Sequence, residues 1–116
     1  MLTLSPAVRI FLKAGATDLR RSIDGLCALV REEMRLETMS GHLFLFRNRR
    51  GDRLKILVWD QSGFWVLYKR LERGTFAWPV EVGGYPFEMR ASDLMLLVSG
   101  IDVSRTRRRR WYERAA

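Results

Sequence analysis

Three short apolar and aromatic runs, separated by only a few residues, constrain the fold of this chain most. They are HLFLF (42–46), LKILVWD (54–60) and FWVLYK (64–69). Such residues favour strands, and Gly51 and Gln61-Ser62-Gly63 supply turn signals between the runs. Because a parallel crossover needs a dozen or more connecting residues, runs this close together must pair antiparallel. The sequence therefore predicts a β-meander within residues 43–79.

Side chains along these strands alternate between two faces of the predicted sheet. Neither face is plainly polar in the second and third runs. We expect one face to pack on a helix. The other is expected to present Trp59 and Trp65, framed by lysines, either to more of the chain or to a partner.

The flanking segments predict a first strand and two helices. Residues 8–12 (VRIFL) favour a strand. From Asp18 to about Leu36, apolar residues recur at spacings of three and four, which predicts one long amphipathic helix with Thr17 as its N-cap. A second, short helix is expected over residues 91–99. These elements predict an α+β fold in which an antiparallel meander packs on one long helix, with a short C-terminal helix.

Positive charge is concentrated in two regions of the chain. Residues 1–104 are expected to form a single domain, and residues 105–116 a flexible basic tail. The tail holds six arginines and one glutamate, and residues 47–73 hold eight basic and three acidic groups, so each region carries +5. The rest of the chain is slightly acidic, since the total is +8. This pattern predicts an anionic partner, most commonly nucleic acid, with charge that serves only solubility as the alternative.

Cysteine usage and hydropathy predict a cytoplasmic protein. The single cysteine, Cys27, cannot form an intramolecular disulfide, and we interpret it as a small buried hydrophobe. The N-terminus lacks the basic region and long apolar run of a signal peptide. No window approaches the length of a membrane span, so no membrane partner is expected.

Catalytic chemistry has few candidate residues. The sole histidine, His42, has no neighbouring cysteine in the sequence, and there is no glycine-rich phosphate loop, so we expect neither a metal nor a cofactor. A two-metal nuclease needs several converging carboxylates, for which Asp60 is the best single candidate. Asp60 precedes Gln-Ser-Gly and also fits a turn residue. We therefore predict no catalytic residue and no enzymatic activity, with a small metal-dependent nuclease using Asp60 as the less favoured alternative.

Cationic and aromatic residues interleave along the meander in a pattern typical of nucleic-acid surfaces. Arginine forks bind phosphates with two hydrogen bonds, and aromatic faces stack on bases. Trp59 and Trp65 are candidate aromatics of a partner face, with burial in the core or in a homodimer as the alternative. The candidate nucleic-acid-binding residues are Arg47, Arg49, Arg50, Arg53, Lys55, Lys69, Arg70, Arg73, Arg107, Arg108, Arg109 and Arg110.

Three segments resemble a known family: VRIFLKAGATDLRRSIDGLCALV (8–30), GHLFLFRNRRGDRLKILVWDQSGFWVLYKRLERGTFAWP (41–79) and LMLLVSGID (94–102). They are similar to the second-open-reading-frame protein of the insertion-sequence-sixty-six family, often called TnpB. The resemblance implies an accessory protein encoded beside a separate, larger transposase that carries the catalytic carboxylates. It brings no set of catalytic residues with it, and the Arg107–Arg110 run lies past the matched core.

The expected function is non-catalytic assistance of transposition by binding insertion-sequence DNA, the partner transposase, or both. The main alternative is a protein-interaction module whose tryptophan face docks the transposase without contacting DNA. The sequence leaves a homo-oligomer open.

Overall fold

The computed structural model describes residues 6–79 and 86–101, and the backbone of residues 112–114. These residues contain six strands, two α-helices and one 3-10 turn at Thr38–Ser40. The strands and helices in chain order are β1 (Ile10–Leu12), α1 (Ile23–Glu32), β2 (Leu43–Arg47), β3 (Arg53–Asp60), β4 (Gly63–Arg70), β5 (Phe87–Met89), α2 (Ala91–Val98) and β6 (Tyr112–Arg114). The predicted α+β class is confirmed.

The strands form one mixed sheet in the order β4-β3-β2-β1-β5-β6. The predicted meander is present as β2, β3 and β4, each antiparallel to the next. The prediction of an antiparallel sheet is wrong at one position, because β1 pairs parallel with β2. The connection between them contains α1 and is long enough for the crossover that a parallel pair requires. β1 also pairs antiparallel with β5, which places it inside the sheet.

Both faces of the sheet are covered, each by one helix. On one face Leu26 and Val30 of α1 pack against Phe44, Phe46 and Leu57. On the other face the buried α2 residues Leu94 and Leu97 belong to a second apolar cluster, whose strand members include Ile10, Leu12, Leu45 and Val58. Of the two alternatives left open for the second face, the structure shows coverage by more of the chain, because alternate residues of β1 and β2 are apolar on both sides and both sides need burial.

Helix α1 is shorter than the sequence pattern predicted. The backbone N–H of Thr17 donates to the carbonyl of Arg47, so the chain continues beside β2 instead of starting a helix there. Ser22 is the N-cap, and its side chain makes no capping hydrogen bond. The helix ends at Glu32, shortly before Arg35, whose φ of 59° is incompatible with a continuing right-handed helix.

The predicted tail meets the sheet at one place. The backbone of β6 pairs antiparallel with β5, so these three residues lie at the edge of the sheet instead of in a tail beyond the domain. Residues 102–110 lie outside the described part of the chain. Within the described ranges, the structure holds no helix with the length and apolar character needed to cross a membrane.

Candidate nucleic-acid interface

The turn between β2 and β3 is organised by Asn48. Its side-chain oxygen accepts a hydrogen bond from the backbone N–H of Arg53 at 3.0 Å, and its amide donates to Asp52 at 2.8 Å. The backbone N–H of Gly51 donates to the Asn48 carbonyl at 3.1 Å. This closed turn presents Arg49 and Arg50 to solvent.

Gly51 is required at this turn for two reasons. Its φ is 78°, a region that residues with a Cβ rarely adopt. A Cβ at this position would also lie 2.7 Å from both Cζ and Nε of Arg47, whose guanidinium packs beneath the turn. Burial lowers the pKa of that guanidinium, and its Nε has no hydrogen-bond partner among the described residues. Arg47 therefore packs against the turn and does not line the cleft described below, and its role as a nucleic-acid contact stays a prediction.

A second loop, residues 16–20, lies opposite this turn. The Thr17 backbone bond to Arg47, at 2.8 Å, ties the loop to the end of β2. Asp18 accepts hydrogen bonds from the Arg20 backbone and guanidinium, at 2.8–3.2 Å. The Arg20 hydrogen bonds lower the pKa of Asp18 to about 2, so this carboxylate is charged at neutral pH and its charge is matched by Arg20.

The two loops enclose an open cleft of about 570 Å³. Its floor is formed by side chains of β3 and β4 that share the α1 face of the sheet. The lining residues are Ala16, Thr17, Asp18, Leu19, Arg20, Asn48, Arg49, Arg50, Arg53, Lys55 and Tyr68. Four of the predicted nucleic-acid-binding residues, Arg49, Arg50, Arg53 and Lys55, thus come together in one place.

The floor of the cleft is built from a cross-strand pair. Lys55 of β3 lies directly opposite Tyr68 of β4, and its Nζ lies 5.4 Å from the centre of the tyrosine ring. The same ammonium donates to the backbone carbonyl of Arg21 at 3.2 Å. The guanidinium of Arg53 donates to the Tyr68 hydroxyl at 3.2 Å. Two cations therefore hold one aromatic ring in place while it stays 54% exposed.

The remaining predicted cations lie elsewhere. Lys69 lies on the α2 face, where its Nζ donates to the Val98 carbonyl at 2.8 Å and so neutralises the C-terminal end of α2. Arg70 forms a solvent-exposed ion pair with Glu72, and Arg73 is exposed in the loop after β4. Arg107, Arg108, Arg109 and Arg110 lie outside the described residues, so their role stays a prediction.

The two candidate tryptophans lie on opposite faces of the sheet. Trp59 pairs with Phe64, whereas Trp65 pairs with Val58, and cross-strand partners share a face. The expectation of one face that presents both tryptophans is therefore wrong. A three-residue turn at 61–63 would have paired Trp59 with Trp65, but the turn contains two residues because Asp60 pairs with Gly63. A one-residue change of register moves every side chain to the other face.

Asp60, the best catalytic candidate of the sequence, and the sole histidine, His42, both have structural partners. The Trp65 indole N–H donates to the Asp60 carboxylate at 3.0 Å. The Nδ1 atom of His42 accepts a hydrogen bond from the backbone N–H of Arg9 at 2.9 Å, and burial lowers the pKa of His42. Across the described ranges, no three His, Cys, Asp or Glu side chains come together in a way that could hold a metal ion.

Sequence reasoning missed several cleft residues, chiefly Thr17, Arg20, Asn48 and Tyr68. Tyr68 could have been found from the sequence if the turn between β3 and β4 had been assigned two residues, because the strand register that follows places Tyr68 opposite Lys55. Arg20 and Thr17 were assigned to a helix, and no local signal shows that their loop folds back over the meander.

Comparison with known proteins identifies the family. The family model described as "IS66 Orf2 like protein" matches residues 8–108, which include both helices and the whole cleft. The chain belongs to the IS66 Orf2-like family. The resemblance seen in the sequence is thus confirmed, and it supports an accessory role associated with an insertion sequence. The match reaches residue 108, so it includes Arg107 and Arg108, which the sequence resemblance had placed beyond the matched core.

Two relatives of similar length resemble this chain over most of its sequence. "Uncharacterized protein y4hO" of Sinorhizobium fredii is 38% identical over 102 residues, which are 88% of this chain and 88% of the relative. "Uncharacterized protein y4jC" of the same organism is 36% identical over 109 residues, 94% of this chain and 92% of the relative. No solved structure matches the chain significantly.

Proposed function

We propose that this IS66 Orf2-like protein assists transposition without catalysis by binding insertion-sequence DNA at the basic cleft. The observation that carries the proposal is the convergence of Arg20, Arg49, Arg50, Arg53 and Lys55 on one cleft, from two loops and one strand. The cleft contains one carboxylate, Asp18, and it is already paired with Arg20. The surplus of positive charge suits a phosphate backbone.

The charge arrangement of the cleft favours an anionic ligand. Arg53 lies directly opposite Arg70 on the neighbouring strand, and like charges in that position destabilise a sheet. Arg70 has Glu72 as a partner, but Arg49 and Arg50 form no ion pair with any carboxylate of the described residues. The Asp52 carboxylate of the turn interacts electrostatically with Arg50 and Arg53, and phosphate oxygens would add the further negative charge, with hydrogen bonds that arginine can donate in pairs.

Asp60 has a structural role in this proposal. Its carboxylate accepts the Trp65 indole hydrogen bond next to the two-residue turn, where it stabilises the β3–β4 hairpin. Incubation of DNA with the protein and magnesium or manganese should leave the DNA uncut. Cleavage that disappears in Asp60→Asn would instead support the nuclease alternative.

Fluorescence anisotropy with labelled duplex DNA at several salt concentrations tests the proposal. Binding is expected at low salt and should weaken steeply as salt rises, because each phosphate contact contributes about −0.9 to the slope of log K against log salt. Absence of DNA binding at low salt would contradict the proposal.

The basic tail is best tested by replacing all four residues of the run Arg107–Arg110 with glutamine. Deletion of residues 105–116 would also remove β6.

A second candidate function is docking of the separately encoded transposase, and exposure of Trp65 favours it. Trp65 is 56% exposed on β4, a strand at the edge of the sheet, within the uncharged run 63–67. Large exposed aromatics on such edges are typical of interaction surfaces. Co-purification with the transposase should weaken in Trp65→Leu and persist in the matched control Trp59→Leu. Equal retention of the transposase by both variants would contradict this docking site.

A further inference from the structure

We propose that the basic cleft takes an unpaired DNA nucleotide, with its phosphate at the Arg49–Arg50 turn and its base stacked on Tyr68. This inference rests on the proposed function and narrows it from DNA in general to DNA with a single-stranded segment or end. The geometry of three features of the cleft supports it.

The first feature is the tyrosine itself. Tyr68 projects from an edge strand with more than half of its surface exposed, in a cleft whose other members are mostly charged or polar. The hydrogen bond from Arg53 to its hydroxyl fixes the tip of the ring, and the Lys55 ammonium lies on the ring side at 5.4 Å. An oriented, exposed ring among cations is the arrangement by which proteins stack unpaired bases while binding the adjoining phosphates.

The second feature is the shape of the cleft. Its volume of about 570 Å³ is in the range of sites that enclose a small ligand. Loop 16–20 forms one wall and the β2–β3 turn the other, with Tyr68 on the floor between them. A base in a duplex is stacked and paired, and only its edges can be reached from the grooves. A base must therefore leave the duplex to reach the Tyr68 ring.

The third feature is an unused hydroxyl in the wall. Thr17 is only 6% exposed, and its Oγ1 has no hydrogen-bond partner among the described residues. Buried hydroxyl groups in native structures nearly always have a partner. A phosphate or base oxygen in the cleft could accept this hydrogen bond after a small adjustment of the loop. Asp18, the acidic group in the same wall, is occupied by Arg20 and leaves the cleft cationic.

The test compares three fluorescein-labelled probes by anisotropy with the full chain at one salt concentration. They are a blunt duplex, the same duplex with an overhang of several thymidines, and a longer blunt duplex with the same number of phosphates as the overhang probe. The wild-type protein should bind the overhang probe at least about fivefold more tightly than either blunt duplex, which is the lower range for one stacked base.

Two substitutions separate stacking from charge. Tyr68→Phe keeps the ring and should keep the preference for the overhang. Tyr68→Leu should lose the preference for the overhang probe over the phosphate-matched blunt duplex, provided that its thermal unfolding midpoint matches that of Tyr68→Phe.

The outcomes distinguish this inference from the proposed function. Equal affinity for the overhang probe and the phosphate-matched blunt duplex, or a preference that survives in Tyr68→Leu, overturns the unpaired-nucleotide site while DNA binding stands. Absence of binding to all three probes at low salt overturns both.

Discussion

Substitution of Gly51 by alanine should destabilise the fold more than the same change at Gly74, which has a similar backbone angle. A residue with a Cβ at positive φ costs about 1–2 kcal/mol in the free energy of unfolding. At Gly51 the added Cβ must also displace the Arg47 guanidinium, from which it would be only 2.7 Å at Cζ and Nε. Overpacking costs about 1–3 kcal/mol in a filled core, and the guanidinium is the end of a flexible side chain, which places this site at the lower end of that range; the expected total is about 2–3 kcal/mol.

Gly74 is the matched control for this prediction. Its φ is 75°, and nothing lies within 4 Å of the Cβ that alanine would add, so only the backbone cost should remain. Urea unfolding gives both free energies, and a loss of 1 kcal/mol corresponds to about 4 °C in the thermal midpoint of a domain this size. The damage should extend to the segment after β4, because the buried Phe76 donates its backbone N–H to the Gly51 carbonyl at 2.8 Å.

A double-mutant cycle with Arg47→Leu isolates the contribution of the guanidinium. In that background Gly51→Ala should cost about as much as Gly74→Ala, because the displaced group is smaller and apolar. Equal losses for Gly51→Ala and Gly74→Ala in the wild-type background would refute the reasoning, since they would show that Arg47 does not support the turn.

Three further predictions concern partly or fully buried groups. Burial lowers the pKa of His42 from 6.5, so its contribution to stability should be full above about pH 6.5 and be lost as pH falls through the folded-state pKa. In His42→Gln the thermal unfolding midpoint should therefore vary less with pH over this range. A pH profile identical to that of the wild type would contradict the assignment. Cys27 is buried and burial raises the pKa of its thiol, so a thiol reagent should label it only after urea unfolding. Rapid labelling of the folded protein would show that the core between α1 and the sheet is accessible to solvent. Thr17→Val should be neutral or stabilise by up to about 1 kcal/mol in urea unfolding, because the hydroxyl has no partner within the described residues; a large loss would reveal a bond that the structure lacks.

The sequence predicts the strands of the meander well because their apolar runs are short and bounded by turn residues. Register was not predicted, since it depends on whether the turn after Asp60 holds two residues or three. Gly63 suggested the longer turn, but positive φ is adopted by Gln61, at 50°, and Gly63 pairs with Asp60 as the first residue of β4. This difference of one residue reversed the face assigned to Trp65 relative to Trp59.

The position of β1 also lies beyond what a single sequence shows. Ile10, Phe11 and Leu12 are all buried because β1 has a strand on each side and a helix layer on each face. The run VRIFL predicts a strand, but it holds no signal for parallel pairing with β2. Helix α1 was predicted too long because Leu19 fits the apolar period; in the structure Leu19 belongs to a loop that packs against the same core.

The candidate site was predicted in part for a clear physical reason. Arg49, Arg50, Arg53 and Lys55 are close in sequence, and a hairpin keeps such residues close in space. Lys69 looked equivalent, but strand alternation carries it to the α2 face. Loop 16–20 contributes to the cleft because the backbone N–H of Thr17 donates a hydrogen bond to the Arg47 carbonyl, and no sequence pattern predicts this tertiary contact.

The claim that DNA binds at the cleft is tested most directly by two charge-matched double variants. Arg49→Gln/Arg50→Gln removes two cleft charges, and Arg31→Gln/Arg90→Gln removes two exposed charges outside the cleft. The slope of log K against log salt for duplex DNA should become shallower by about 1.8 in the cleft variant, because two phosphate contacts are lost, and stay near the wild-type value in the control. Equal slopes for the two variants would contradict the account.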